Sequence, residues 1–63
     1  MNLKLKLKIV EFFLTQSAFS KEIGRSDAYV SRVISGYFIP EQSEMNRWAK
    51  FLHTDVEELF PND

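Results

Sequence analysis

The sequence predicts an all-α fold: a compact bundle of about five short helices with a helix-turn-helix at its centre. Two observations predict it. Residues 15–36 read TQSAFSKEIGRSDAYVSRVISG, two short helical patterns joined by a tight turn at Gly24. Apolar residues recur at helical spacing on both sides of that segment, over 3–14 and 45–52. With only two Gly and two Pro, no low-complexity tract and no internal repeat, residues 1–63 are expected to form a single domain.

The N-terminal element has two readings. LKLKLK at 3–8 alternates with period two, as a half-buried strand does. It also fits a helix over about 3–13, with Leu3, Leu7, Val10 and Leu14 at i, i+4, i+7, i+11, Leu5, Ile9 and Phe12 in the adjoining row, and Asn2 as cap. Helix is favoured, because a lone strand needs a partner and only the same strand of a second subunit offers one.

Thr15 caps the second helix, whose apolar positions are Ala18, Phe19 and Ile23. Gly24 ends it, being the residue that turns the chain at positive φ with least cost. Ser26 then caps a third helix. Val30, Val33 and Ile34 share one buried face at i, i+3, i+4, which leaves Asp27, Ala28, Ser31, Arg32 and Ser35 on the other, and Gly36 closes the helix.

Pro40 disfavours helix at Ile39 and redirects the chain after the loop Tyr37, Phe38, Ile39. A fourth helix over about 42–52 follows, its inner face marked by Met45, Trp48, Ala49 and Leu52 with Phe51 beside them. His53, a residue type enriched in the left-handed region, ends it. Asp55 with Glu58 three positions on reads as a capping box for a short fifth helix carrying Leu59 and Phe60, which Pro61 stops.

Composition bounds what this bundle can be. A chain this short buries only about 60% of the surface it exposes when unfolded, so its stability is marginal. Without cysteine there is no disulfide framework, and one histidine makes no zinc set; packing alone, or a partner subunit, must hold the core. Six Phe, two Tyr and one Trp supply a heavy apolar load. Phe38, Ile39, Phe60 and the N-terminal leucines cannot all be buried, and some are expected at a subunit interface. No apolar run approaches the roughly 20 residues of a membrane span and the N-terminus lacks a signal-peptide core, so a cytoplasmic location is expected.

The net charge of −1 argues against nucleic acid, but its distribution does not. Residues 1–36 carry six basic and three acidic side chains, whereas residues 37–63 carry two and six. The half that holds the two central helices is therefore basic and the other acidic. That asymmetry orients a molecule on a polyanion.

LTQSAFSKEIGRSDAYVSRVISGYFIP, followed by MNRWAKFLHTDVEELF, resembles the Cro and lambda-repressor type of helix-turn-helix domain, the XRE family. The matching residues run without a gap from 14 to 60: Leu14, Thr15, Gln16, Phe19, Gly24, Ser26, Val30, Ser31, Arg32, Val33, Gly36, Pro40, Leu52, Val56, Leu59 and Phe60. The resemblance implies a lambda-repressor-like five-helix fold that binds operator DNA, usually as a dimer. Three features depart from the pattern. Ser20 stands where the family favours Ala at the crossing of the two helices, Asp27 opens a recognition helix that more often begins with a polar or basic residue, and the link through Phe12 and Phe13 is short.

Chemistry and resemblance together assign candidate DNA-binding residues. Gln16, in the first turn of the second helix, suits a phosphate. Arg32 suits guanine O6 and N7, or else a phosphate or an intramolecular pair with Glu22 or Asp27. Ala28 lets the helix enter deeply and can meet a thymine methyl, and Ser31 lies on the same face. Asp27 either accepts from cytosine N4 or answers the helix dipole. Tyr29 either meets the DNA backbone or covers the first helix. Ser35 and Tyr37 flank Gly36 and can donate to phosphate, and Arg25 in the turn is a further candidate. Trp48 is read as core, and His53 as a helix terminator.

The function expected is a sequence-specific transcriptional regulator, a small Cro-like repressor acting as a homodimer on double-stranded DNA. Read as complete from Met1 and without an effector domain, it would act by occluding a promoter. The alternative is a protein-interaction or antitoxin-like module of the same fold with little DNA affinity. An enzyme is the poorest reading, since no nucleophile, acid–base pair or metal set is present. No cofactor, small-molecule ligand or membrane is implied.

Overall fold

Five helices form in the expected order: α1 (Leu3–Phe13), α2 (Gln16–Ile23), α3 (Asp27–Ser35), α4 (Gln42–Phe51) and α5 (Val56–Leu59). They are taken from a computed structural model, which describes residues 1–61. The N-terminal segment is helix, not strand.

The three helix starts of the first half, and the ends of α2 and α3, are made by the residue types that predict them. Asn2 Oδ1 accepts from the Leu5 amide at 3.1 Å, Thr15 Oγ1 from the Ala18 amide at 3.1 Å, and Ser26 Oγ from the Tyr29 amide at 3.1 Å. Each satisfies an amide that has no partner inside the helix. Gly24 and Gly36 close α2 and α3 at φ 73° and 86°. A side chain there would meet no neighbouring atom, so the backbone conformation alone selects glycine. His53 takes φ 54°, as its position after α4 predicts.

The short link between α1 and α2 is a single tight turn. Leu14 sits at φ 70° and ψ −45°, and the Thr15 amide donates to the Phe13 carbonyl at 2.8 Å. That is the three-residue γ-turn of positive φ, a strained form.

The core lies where α1, α2 and α3 meet α4 and α5. Trp48, Phe19, Leu5, Ile9, Leu52, Leu59 and Val30 are the largest fully buried side chains. Phe19 is central, with its ring 5.2 Å from Phe13 and 5.1 Å, edge-on, from Trp48. Asn2 fastens the bundle at one end: its amide nitrogen donates to the Ile34 carbonyl at 2.6 Å, and its Nδ2 to the Leu59 carbonyl.

Two readings are made definite, for α1 and for the end of α4, and two expectations are corrected, at Ala18 and at the α5 cap. In α1 the inner row is Leu5 and Ile9 with half-buried Phe13, whereas Leu3, Leu7, Val10 and Leu14 face solvent at 56, 58, 45 and 79% exposure. Both rows are apolar, so periodicity alone could not rank them. Ala18 is exposed, because Phe19, Ser20 and Ile23 already fill the α2 contact. Helix α4 stops at Phe51, with Leu52 as its C-cap. No capping box forms at α5: Asp55 makes no side-chain cap bond, and Glu58 instead pairs with Lys4 at 3.0 Å, drawn across by the cation on α1.

Candidate nucleic-acid interface

The outward face of α3 follows from its inward one. Burying Val30, Val33 and Ile34 at 3.6 residues per turn sends Asp27, Ala28, Ser31, Arg32 and Ser35 outward, and all five are exposed. Among the described residues Arg32 has no ion pair, so the pairs with Glu22 and Asp27 that the sequence allows are not formed. Its guanidinium is free at the middle of a surface that is otherwise small or neutral.

Asp27 is held from behind. The hydroxyl of buried Ser20 donates to Asp27 Oδ1 at 2.5 Å and also lies 2.8 Å from the Ser17 carbonyl. Gln16 Nε2 donates to the Asp27 carbonyl at 3.4 Å. The N-terminal ends of α2 and α3 are thus tied side by side, and two of the residues that depart from the family pattern, Ser20 and Asp27, bond to each other. We expect a double-mutant cycle of Ser20→Ala and Asp27→Ala, read by thermal unfolding, to give a coupling of about 1 kcal/mol. A coupling near zero would mean that the two side chains act independently.

Arg25 and Tyr29 form the turn side of this surface. The Arg25 guanidinium lies 4.8 Å from the Tyr29 ring centroid, while its Nε donates to Glu44 Oε2 at 2.9 Å. Tyr29 does not cover α1; its half-buried ring packs 5.3 Å from Phe38 and 6.3 Å from Trp48, because the aromatic surface it can bury lies toward α4. At the other end of α3, Ser35 and Tyr37 flank Gly36 and both are exposed.

Sequence reasoning missed Glu44. Its carboxylate is almost buried and accepts from Arg25, from Arg47 Nη2 at 3.2 Å and from the indole N–H of Trp48 at 3.1 Å. Arg47 Nη2 also donates to the Ile23 carbonyl at 2.7 Å, so this cluster joins α4 to the end of α2 and to the turn before α3. The Arg25 hydrogen bond, aided by Arg47 and Trp48 and opposed by burial, lowers the Glu44 pKa to about 2. The same carboxylate raises the Arg25 pKa.

A family model described as helix-turn-helix matches residues 5–59, from the buried start of α1 to the end of α5. The chain belongs to the helix-turn-helix family. No curated protein and no solved structure matches it. This helix-turn-helix domain is accordingly of the DNA-binding regulatory kind. Among the described residues of the domain no helix is long and apolar enough to cross a membrane.

Proposed function

We propose that the chain is a sequence-specific transcriptional regulator, a small repressor that lays α3 in the major groove and binds its operator as a homodimer. The exposed Arg32, without an ion pair among the described residues and on a face of small side chains, carries this reading. Such a face enters the groove without steric hindrance and presents one bidentate donor to guanine. Ala28 and Ser31 lie beside it against the base edges. Asp27 keeps Oδ2 for a cytosine amine while Ser20 holds Oδ1. Gln16, Ser35 and Tyr37 reach the flanking phosphates, and Arg25, bound to Glu44 through Nε, offers its Nη groups in the same way. Tyr29 supports Arg25 from below.

Exposed Phe38 and Ile39 border a groove completed by Pro40, Met45, Val56 and Phe60. It adjoins the C-terminal end of α3, and a second copy seated there sets the spacing of the two recognition helices at about 34 Å, one turn of DNA. Sedimentation at micromolar concentration tests that dimer.

Selection of bound sites from random DNA, followed by the salt dependence of binding to the selected site, tests the whole reading. A two-fold symmetric site and a steep salt slope are expected. Binding that is weak and insensitive to salt favours the protein-interaction module instead. Gln16→Ala should weaken cognate and random DNA alike, by up to about 1 kcal/mol for one phosphate contact. Unchanged affinity for random DNA would remove Gln16 from the interface.

A further inference from the structure

Among the described residues Glu44 is the only buried carboxylate, and its Oε2 holds two arginines at once, Arg25 through Nε at 2.9 Å and Arg47 through Nη2 at 3.2 Å. The glutamate side chain is 11% exposed, whereas those of Arg25 and Arg47 are 43 and 39% exposed. The anion therefore lies beneath and the cations above, and the cluster keeps one net positive charge on its solvent side. Arg25 has a second support: its guanidinium lies over the Tyr29 ring at 4.8 Å, and that ring is itself packed against Phe38 and Trp48. A planar group held at Nε and on one face has only its Nη donors left open. We propose that Glu44 is a positioning residue for DNA binding: it fixes Arg25 over Tyr29 so that the Nη groups stand as a preset fork for one backbone phosphate beside the turn before α3. The proposal rests on the DNA-binding reading above and adds to it a residue that never touches DNA.

Two observations make the hold matter. Glu41 lines the same cleft as Arg25 and Glu44, is exposed and has no ion pair among the described residues, so a released guanidinium has a rival partner close by. Glu44 in turn is fixed by the Trp48 indole at 3.1 Å and by Arg47, whose Nη2 also donates to the Ile23 carbonyl at 2.7 Å. Arg25 is thus tied to a rigid frame, unlike an arginine in a surface pair between two mobile side chains. The entropy lost when a long side chain is ordered against a phosphate is already met in the folded domain. The sign of the effect separates this role from plain electrostatics. An acid near a polyanion repels it, so on charge alone removing Glu44 should tighten binding. Positioning gives the opposite sign.

Salt titrations of binding to a random-sequence duplex, at low temperature where Trp48 fluorescence shows each chain folded, test the proposal. Glu44→Gln is expected to bind about 5- to 10-fold more weakly at low salt, with the slope of log affinity against log salt reduced by about 0.9, the share of one phosphate. A smaller folded fraction alone would lower affinity by one factor at all salt concentrations and leave the slope as it was. Arg25→Lys carries the same test if Glu44→Gln does not fold: the cation stays, but the planar fork is gone, and the slope should fall equally. In an Arg25→Ala chain, adding Glu44→Gln should bring no further loss. Tighter binding by Glu44→Gln, an unchanged slope, an Arg25→Lys chain that binds like the unaltered one, or a full Glu44 effect without Arg25 overturns the proposal while leaving the DNA-binding reading in place. An unaltered chain with no salt-dependent DNA binding overturns both.

Discussion

Glu44→Gln is expected to lower stability at pH 7 by on the order of 3 kcal/mol, and the deficit should disappear as the pH falls toward 2. The sign follows from the native pKa. A carboxylate held at about 2, against an ordinary value of 4.5, contributes its full stabilisation above about pH 4.5 and loses it as the pH drops through the native value. For a domain this small the whole folding free energy is about 3–9 kcal/mol, so one carboxylate carries a large share. The loss is not only Coulombic. Glutamine turns an amide N–H₂ toward Arg25 and Arg47, which have donors and nothing to accept with, and it weakens the acceptor that the buried Trp48 indole has among the described residues. Denaturant unfolding followed by Trp48 fluorescence between pH 2 and 7 measures both quantities. Parallel pH profiles for the two chains would remove Glu44 as the acid-sensitive group.

Arg32→Ala is expected to leave folding almost unchanged and to cost about 1–3 kcal/mol on the selected DNA site, roughly a 5- to 150-fold loss of affinity. Folding is spared because the guanidinium has no ion pair among the described residues. The affinity cost should fall on one base pair of each half-site. Repeating the site selection with the variant should show that position relaxed to any base while its neighbours persist. Equal losses on cognate and random DNA would place Arg32 on a phosphate instead. The two substitutions therefore separate along the chain of cause: Glu44 acts on the frame that holds α3, and Arg32 on what α3 reads.

Local chemistry made most of the frame legible. Asn2, Thr15, Ser26, Gly24, Gly36 and His53 each mark a boundary through their own backbone or side-chain preference, and each boundary is where the structure has it. The face of α3 could be read because its inner residues are strongly apolar and its outer ones are not. In α1 that contrast is missing: lysines interleave with two leucine rows, and only the tertiary contacts decide which row is inside. The Glu44 cluster was illegible for a different reason. A glutamate in the first turn of a helix is already accounted for by the dipole, and its partner Arg25 lies 19 positions away with no periodic relation to it. Ser20 and Asp27 did leave a trace, as paired departures from the pattern seven residues apart, but only a structure shows that they touch. The capping box at Asp55 does not form, and the Glu58 carboxylate lies on Lys4 instead, a partner 54 positions away that local sequence does not reveal.

The Asn2 fastening has a consequence for how the domain comes into being. One asparagine joins the carbonyl of Leu59, 57 positions away, to the last turn of α3 and to the start of α1. Closing a loop of that length costs entropy before any bond is made, so the contact with Leu59 carries the larger closure cost of the two. A nascent chain still short of Leu59 has Asn2 joined to α3 alone, and the far end of the chain is fastened to α1 only when α5 has been made.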